Sequence, residues 1–221
     1  MRDAEPGAVL EDPSAFPAEA WELAGSDEGR TRLLAYADML VAEGELRGLI
    51  GPRELPRLWS RHLVNCLVVN PLIPSGVTLA DVGSGAGLPG VVVAATRPDL
   101  DVTLIEPMER RAQWLVEVVS ALGLTNTRVL NSRAEDAVGD ALFDVVTARA
   151  VARLDKLIPW TVPLVKPGGA VLALKGEKAA AEIDGARKLF RKNRIAEARL
   201  HELPSPLDDQ VTRVVELRRA R

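Results

Sequence analysis

The sequence predicts an α/β fold in which a doubly wound, mostly parallel sheet ends in an antiparallel pair of strands. Short apolar runs alternate with helical segments after residue 76, and this alternation is typical of parallel sheets. A glycine-rich turn at residues 83–90 joins the first of these runs to a helix. The last two predicted strands follow each other without a helix, and strands joined in that way pair antiparallel.

The residues before this sheet predict a small helical N-terminal extension. Residues 1–25 show no periodicity and are expected to form a loose arm, with Phe16 and Trp21 as the residues that would hold part of it in place. Apolar positions at helical spacing indicate one helix that begins at Arg30 and stops at Gly44, and another that begins near Pro56 and ends before Asn70. The sequence therefore divides into three parts: the arm (1–25), a helical region (26–75) and a core (76–221).

The core contains the strands of the predicted sheet. Five of them cover residues 78–82, 101–105, 127–130, 143–147 and 170–174. Pro107 opens a helix that ends at Gly123, and a turn at residues 166–169 precedes the fifth strand. Strands near residues 196–201 and 211–217 form the antiparallel pair. Ligands of such sheets bind beyond the carboxyl ends of the parallel strands.

Composition and charge narrow the functional classes. The 221 residues are 47% hydrophobic, without an apolar run long enough to span a membrane and without a signal-peptide pattern, so a soluble cytoplasmic protein is expected. A single cysteine, Cys66, excludes an internal disulfide, and two histidines are too few for a Cys/His metal cluster. The net charge of −3 means that RNA would need a local basic face. The absence of an exposed heptad or apolar stripe predicts a monomer.

The glycine turn allows two cofactors. Residues 85–90, Gly-Ala-Gly-Leu-Pro-Gly, match the dinucleotide fingerprint, and Glu106 lies where that fingerprint places a ribose-binding acid, so an NAD-dependent oxidoreductase is one interpretation. Asp81 lies just before the glycines and would repel a pyrophosphate by on the order of several kcal/mol. S-adenosylmethionine carries an ammonium and a sulfonium against one carboxylate. Asp81 therefore favours S-adenosylmethionine as the cofactor.

Several motifs together resemble one protein family. They are Asp81-Val-Gly-Ser-Gly-Ala-Gly-Leu-Pro-Gly90, Asn131-Ser-Arg-Ala-Glu135, Ala148-Arg-Ala150, Leu174-Lys-Gly176 and the helical segment Trp59-Ser-Arg-His62. From about Arg30 onward the chain is similar to the bacterial 16S ribosomal RNA guanine-N7 methyltransferases, also called glucose-inhibited division protein B. The resemblance implies a Rossmann-like class I methyltransferase that uses S-adenosylmethionine to methylate N7 of guanine 527 in the 16S ribosomal RNA of the small subunit.

The resemblance also implies which residues contact the cofactor. Gly83 and Leu88 would meet its methionine end, Ala134 and Glu135 its adenine, and Glu106 its ribose. Arg149 would lie beside the cofactor at the end of the fourth strand. Asp81 and Gly85 of the glycine turn are added to these residues. The expected cofactor-binding residues are therefore Asp81, Gly83, Gly85, Leu88, Glu106, Ala134, Glu135 and Arg149.

The expected chemistry needs positioning rather than a general base. Guanine N7 carries a lone pair and no proton, so the nucleophile has only to be held in line with the methyl group. The fourth strand lacks the Asn/Asp-Pro-Pro-aromatic run that accepts protons from an exocyclic amine. Arg149 is the catalytic candidate, as a donor to the cofactor carboxylate or to guanine O6.

The RNA contacts are less constrained by the sequence. Arg61, His62 and Lys175 are the candidates for RNA binding, and a solvated or packing role is the alternative for each. A third interpretation of the whole chain is a non-catalytic RNA- or ribosome-binding module that keeps the fold.

Overall fold

The predicted sheet is confirmed in a computed structural model, which describes residues 10–137 and 142–221. In that part of the chain seven strands form one sheet in the order β3-β2-β1-β4-β5-β7-β6. The first five strands are parallel, and β7 is antiparallel to both β5 and β6. The strands are β1 (Thr78–Val82), β2 (Asp101–Ile105), β3 (Thr127–Leu130), β4 (Phe143–Arg149), β5 (Val165–Lys175), β6 (Ile195–Pro204) and β7 (Val211–Arg219).

Helices cover both faces of the sheet. They are α1 (Ala18–Glu22), α2 (Asp27–Glu43), α3 (Val64–Leu67), α4 (Gly90–Thr96), α5 (Glu109–Ala121), α6 (Leu154–Thr161) and α7 (Ala179–Phe190). Helix α2 begins where the Ser26 side chain accepts a hydrogen bond from the Gly29 N–H, a normal N-terminal cap. None of the helices in the described residues has the length and apolar character needed to cross a membrane.

Two buried hydrophobic clusters follow from the alternation of side chains along the strands. Leu79 and Val145 belong to the first cluster, whereas Ala80 and Val146 belong to the second. Neighbouring residues of a strand point to opposite faces, so the clusters lie on opposite sides of the sheet. Helices α2, α3, α4 and α5 pack into the first cluster, and α6 and α7 pack into the second.

The described part of the predicted loose arm is packed against the protein. The rings of Phe16, Trp21 and Trp59 lie with centroids 5.4 to 6.1 Å apart. The Glu11 carboxylate accepts hydrogen bonds from the backbone N–H groups of Trp59 (2.8 Å) and Ser60 (3.0 Å). Residues 10–25 are therefore not loose, because the partly buried rings of Phe16 and Trp21 and the hydrogen bonds of Glu11 hold them in place. Residues 1–9 lie outside the described residues.

Two other elements differ from the prediction. The second predicted helix is irregular, since a 3₁₀ turn (Leu55–Arg57) passes into a π-helix (Leu58–Leu63) before α3. The predicted turn at residues 166–169 lies within β5 as a bulge. Phe143 pairs with Val165 and Val145 pairs with Ala170, so the intervening residues of β5 have no partners on β4.

The division into an arm, a helical region and a core stays a prediction. The first buried cluster contains Leu33 and Leu63 of the N-terminal part together with Leu79 and Val91 of the core. These side chains share one hydrophobic interior. The N-terminal helices are therefore packed as part of the same folded unit as the sheet.

The glycine turn after β1 is tied to two helices through one carbonyl. The Ala86 carbonyl accepts hydrogen bonds from the Tyr36 hydroxyl (2.7 Å) and from the Trp114 indole N–H (2.9 Å). Both side chains are fully buried. Helices α2 and α5 thereby fix the turn from below.

We expect Tyr36→Phe to lower the free energy of unfolding by about 1 kcal/mol, the usual net value of a neutral hydrogen bond. The effect stays small because Ala86 keeps its bond from Trp114. Urea denaturation measures it. Thr31→Val is the control, since it removes an exposed hydroxyl bond to a carbonyl of the same helix, at 2.9 Å. Equal stability of Tyr36→Phe and the wild type would contradict the assignment of this anchor.

Candidate cofactor site and adjoining cavity

The turn after β1 has a backbone path that requires glycine. Gly83 has a φ of +69°, and a Cβ added there would lie 2.8 Å from a Val151 methyl. Gly87 has a φ of +111°, and its Cβ would lie 2.7 Å from the Tyr36 hydroxyl. A side chain at either position would be strained and would clash. The turn therefore exposes its backbone closely to the space above it.

Glu106 joins this turn to the end of β2. Its buried carboxylate accepts hydrogen bonds from the Gly85 N–H (2.8 Å) and the Met108 N–H (2.9 Å). The Asn131 side-chain amide donates to the Glu106 carbonyl at 2.8 Å, which brings the residues after β3 to the same place. Each carboxylate oxygen keeps a second acceptor position. Glu106 can therefore hold the turn and still accept a hydrogen bond from a ligand.

Asp81 lies beneath the turn and not at its surface. It is fully buried, and its oxygens accept hydrogen bonds from the Gly90 N–H (3.1 Å) and the Thr147 hydroxyl (2.8 Å). Burial raises the pKa of Asp81 to about 6. The expectation that this carboxylate contacts the cofactor is not met, because the turn separates it from the space above. Its charge can act only through the protein.

A cavity of about 600 Å³ lies above the glycine turn. This volume is normal for a small-molecule site. The cavity is at the carboxyl ends of β1, β2 and β4, where an open α/β sheet is expected to bind its ligand. The residues that line it include Leu49, Ile50, Gly51, Glu54, Arg61, His62, Gly83, Gly85, Leu88, Glu106, Met108, Arg111, Arg149, Ala150 and Val151.

The predicted cofactor-binding residues divide into two groups. Gly83, Gly85, Leu88, Glu106 and Arg149 line this cavity. The others do not line it: Asp81 and Ala134 are buried, Ala134 within the second hydrophobic cluster, and Glu135 is exposed.

Arg149 fastens the end of β4 to the N-terminal helices. Its guanidinium donates to the carbonyls of Arg61 (3.2 Å) and His62 (3.1 Å), and it also contacts the Cys66 sulfur (3.2 Å). The same group lies 2.6 Å from His62 Nδ1. Most of its donors are therefore used within the protein, and its role as the catalytic residue stays a prediction.

His62 is held between two charged groups. Its Nε2 lies 2.9 Å from a Glu54 carboxylate oxygen, and its Nδ1 faces Arg149. Burial and the nearby Arg149 lower the pKa of His62. The neutral ring with its hydrogen on Nε2 satisfies both contacts, since Nδ1 then accepts from Arg149 and Nε2 donates to Glu54. A ring held in this way is not free to serve as a base.

A second cavity, of about 820 Å³, adjoins the first on the other side of β4. The two cavities share Arg61, Arg149, Ala150 and Val151 as lining residues. Ala150 has a φ of +55°, which is uncommon for a residue other than glycine. This backbone turn directs the chain between the two cavities.

The family model of GidB, described as rRNA small subunit methyltransferase G, matches residues 30–211 of this chain. The chain belongs to the GidB family. A family member from Thermobifida fusca, named ribosomal RNA small subunit methyltransferase G, is 57% identical over 159 residues, which cover 72% of this chain and 67% of that protein. One of the same name from Leifsonia xyli subsp. xyli is 49% identical over 199 residues, which cover 90% of this chain and 94% of that protein.

Solved methyltransferase structures share the fold of this GidB-family chain. M. jannaschii TYW2 in complex with AdoMet matches with a TM-score of 0.55 at 16% identity, over 71% of this chain and 74% of that chain. A tRNA methyltransferase from Aquifex aeolicus matches with a TM-score of 0.54 at 14% identity, over 72% of this chain and 68% of that chain. The sheet and its antiparallel ending are thus those of a class I methyltransferase, as predicted.

The structure does not place Lys175 for a phosphate contact. Its side chain is only 8% exposed, and its ammonium donates to the Ala152 carbonyl and pairs with Glu182 at 2.9 Å. The Glu182 carboxylate also accepts from the Leu154 N–H at 2.7 Å, at the start of α6. Lys175 therefore holds the segment after β4. Arg61, with 48% of its side chain exposed, remains accessible from both cavities.

Some lining residues of the GidB-family cofactor cavity were missed by the sequence analysis. Leu49, Ile50 and Gly51 reach it from the N-terminal part through tertiary packing, and no motif marks them. Arg111 could have been found, because the first turn of the helix after β2 lies next to Glu106. In the described residues no group of histidine, cysteine and acidic side chains is arranged to hold a metal ion.

The raised pKa of Asp81 predicts a specific pH dependence. The native carboxyl keeps its proton up to about pH 6, whereas the unfolded chain releases it near 3.8. Between these values the native state binds more protons, so the free energy of unfolding falls as pH rises. A shift of this size corresponds to on the order of 3 kcal/mol.

We therefore expect Asp81→Asn to remove most of this decrease between pH 4 and pH 7, measured by urea denaturation. The amide can still accept from Gly90 and can donate to the Thr147 oxygen, so the fold is kept. Asp38→Asn on the exposed face of α2 is the control and should keep the wild-type slope. An unchanged slope in Asp81→Asn would show that Asp81 is not the source of the dependence.

Proposed function

We propose that this chain is a cytoplasmic methyltransferase that transfers a methyl group from S-adenosylmethionine to N7 of a guanine, guanine 527, in 16S ribosomal RNA. Membership of the GidB family over residues 30–211 carries this proposal. The cavity above the glycine turn supports it, because it lies where class I methyltransferase sheets are expected to bind a ligand.

The cavity residues fit the proposed cofactor. Gly83 and Gly85 form a cradle that a Cβ would disturb at Gly83, and Glu106 presents acceptor positions for ribose hydroxyls. Leu88 and Met108 line the cavity and offer apolar surface. When bound, S-adenosylmethionine supplies a methyl group on a cationic sulfonium. The ionised Asp81 beneath the turn favours positive charge above it through the protein interior.

Contacts of the adenine with Ala134 and Glu135 stay part of the proposal. The bond from Asn131 to the Glu106 carbonyl holds the start of this segment next to the cavity. Backbone groups of residues 134 and 135 could then meet the adenine without needing a particular side chain. This is consistent with the burial of Ala134 and the exposure of Glu135.

The protein's part in the chemistry is to hold the base in line with the methyl group. Guanine N7 has no proton to lose, so no general base is required. His62, the histidine in the cofactor cavity, is engaged by Glu54 and Arg149. We propose that Arg149 is a positioning residue, which fixes Ala150 and Val151 between the two cavities.

We expect Arg149→Lys to lower kcat by about tenfold or more with little change in the affinity for S-adenosylhomocysteine. A lysine keeps the charge but cannot bond the Arg61 and His62 carbonyls in the same fork. Steady-state kinetics and calorimetry measure the two quantities. A loss of cofactor affinity with unchanged kcat would instead indicate that Arg149 binds the cofactor directly.

The direct test of function uses small ribosomal subunits from cells that lack this protein. The purified chain and labelled S-adenosylmethionine should place label in 16S RNA, and mass spectrometry should locate it as N7-methylguanosine. Absence of label despite cofactor binding would favour a non-catalytic RNA-binding module. Label on another atom of the base would overturn the N7 assignment.

We expect Glu106→Gln to weaken S-adenosylhomocysteine binding about 10- to 100-fold, because it removes charge from hydrogen bonds worth about 1.5–3 kcal/mol. Isothermal titration calorimetry measures the dissociation constant. Glu109→Gln in the first turn of α5 is the matched control and should bind as the wild type does. Equal affinities of the Glu106 variant and the control would exclude a ribose contact.

A further inference from the structure

The larger cavity lies at the same edge of the sheet as the cofactor cavity. In the antiparallel register of β5 and β7, Lys175 at the end of β5 lies opposite Arg213 near the start of β7. The β6–β7 loop, residues 205–210, therefore lies beside the carboxyl end of β5. The cavity is lined by the end of β5, this loop, α3 and the segment after β4. Only the end of β4 separates it from the cofactor cavity.

The charged residues of this cavity differ in whether they already have partners. Most are paired: Lys175 with Glu182 (2.9 Å), Arg213 with Glu202 (3.0 Å) and Arg61 with Glu54 (3.2 Å). Glu177 and Asp209 also line the cavity, are exposed, and make no hydrogen bond or ion pair within residues 10–137 and 142–221. Arg153 has 75% of its side chain exposed, with Asp155 3.7 Å away.

The two unpaired carboxylates, Glu177 and Asp209, suit the hydrogen-bond donors of guanine. The Watson–Crick edge of guanine has donors at N1 and N2, whereas adenine has an acceptor at N1. Carboxylates accept from the guanine edge and have nothing to donate to adenine N1. Enzymes that modify a base commonly flip it out and recognise it by this edge. N7 lies on the opposite side of the ring system, so recognition of this kind leaves the N7 lone pair free.

We propose that the larger cavity receives the flipped target guanosine, with Glu177 and Asp209 as the acceptors for N1–H and N2–H. Guanine N7 then faces the wall formed by Ala150 and Val151, toward the cofactor cavity. Arg153 at the rim contacts a flanking phosphate. This inference rests on the proposed function and adds to it the residues that select the base.

The experiment compares guanosine and inosine at the target position of 16S RNA in reconstituted small subunits. Inosine lacks the N2 amino group but keeps N7. We expect wild-type kcat/KM to favour guanosine by about tenfold or more, as expected for a hydrogen bond to a charged group. The double variant Glu177→Gln/Asp209→Asn should lower the guanosine rate and reduce this preference, because a neutral amide oxygen accepts a weaker hydrogen bond than a carboxylate does.

Controls separate base recognition from other effects. Glu197→Gln removes the charge of a partly exposed carboxylate on β6, which pairs with Arg199 away from both cavities, and should leave the rate and the preference unchanged. The double variant should bind S-adenosylhomocysteine as tightly as the wild type, since neither residue lines the cofactor cavity. Because both side chains are exposed, the melting temperature of the double variant should equal that of the wild type. The single variants Glu177→Gln and Asp209→Asn measure the contribution of each carboxylate.

The outcomes distinguish this inference from the proposed function. Wild-type rates and an unchanged guanosine preference in the double variant would overturn the base site while leaving the methyltransferase in place. A lower rate with the preference intact would also overturn base recognition by these carboxylates. Failure of the wild type to label guanosine-containing subunits would remove the proposed function, and this inference with it.

Discussion

The Glu106 carboxylate determines the shape of the cofactor cavity, because it joins the ends of two neighbouring strands. One side chain accepts from Gly85 after β1 and from Met108 after β2. A turn built from glycines would otherwise keep considerable conformational freedom. The bonds that Ala86 accepts from Tyr36 and Trp114 fix the same turn from the opposite side.

The N-terminal helices complete the site. The guanidinium of Arg149 leaves the sheet at the end of β4 and bonds to carbonyls of the π-helix Leu58–Leu63. A π-helix is often found at functional sites, where its wider turn alters which backbone groups are accessible. The connection also places Arg61 at both cavities. The residues before β1 are therefore needed for the geometry of the site and not only for stability.

The elements that sequence predicted well depend on local physics. The parallel strands follow from short apolar runs between helical segments, and the turn follows from glycines that need positive φ at Gly83 and Gly87. What the sequence could not show depends on distant partners. Asp81 and Lys175 looked available for ligands, but they are occupied by Gly90 and Thr147, and by Ala152 and Glu182. Only tertiary packing determines such pairings.

The shared wall of the two cavities matches a reaction that transfers no proton. It is formed by Arg61, Arg149, Ala150 and Val151, and none of these side chains has a hydrogen-bond acceptor. An exocyclic amine would need an acceptor at this wall to lose its proton. Guanine N7 needs only a fixed distance and direction to the methyl group. A wall that Arg149 and Lys175 hold rigid provides that constraint. In the proposed base site, Glu177 and Asp209 contact the Watson–Crick edge of guanine, so the attacking lone pair on N7 stays unoccupied.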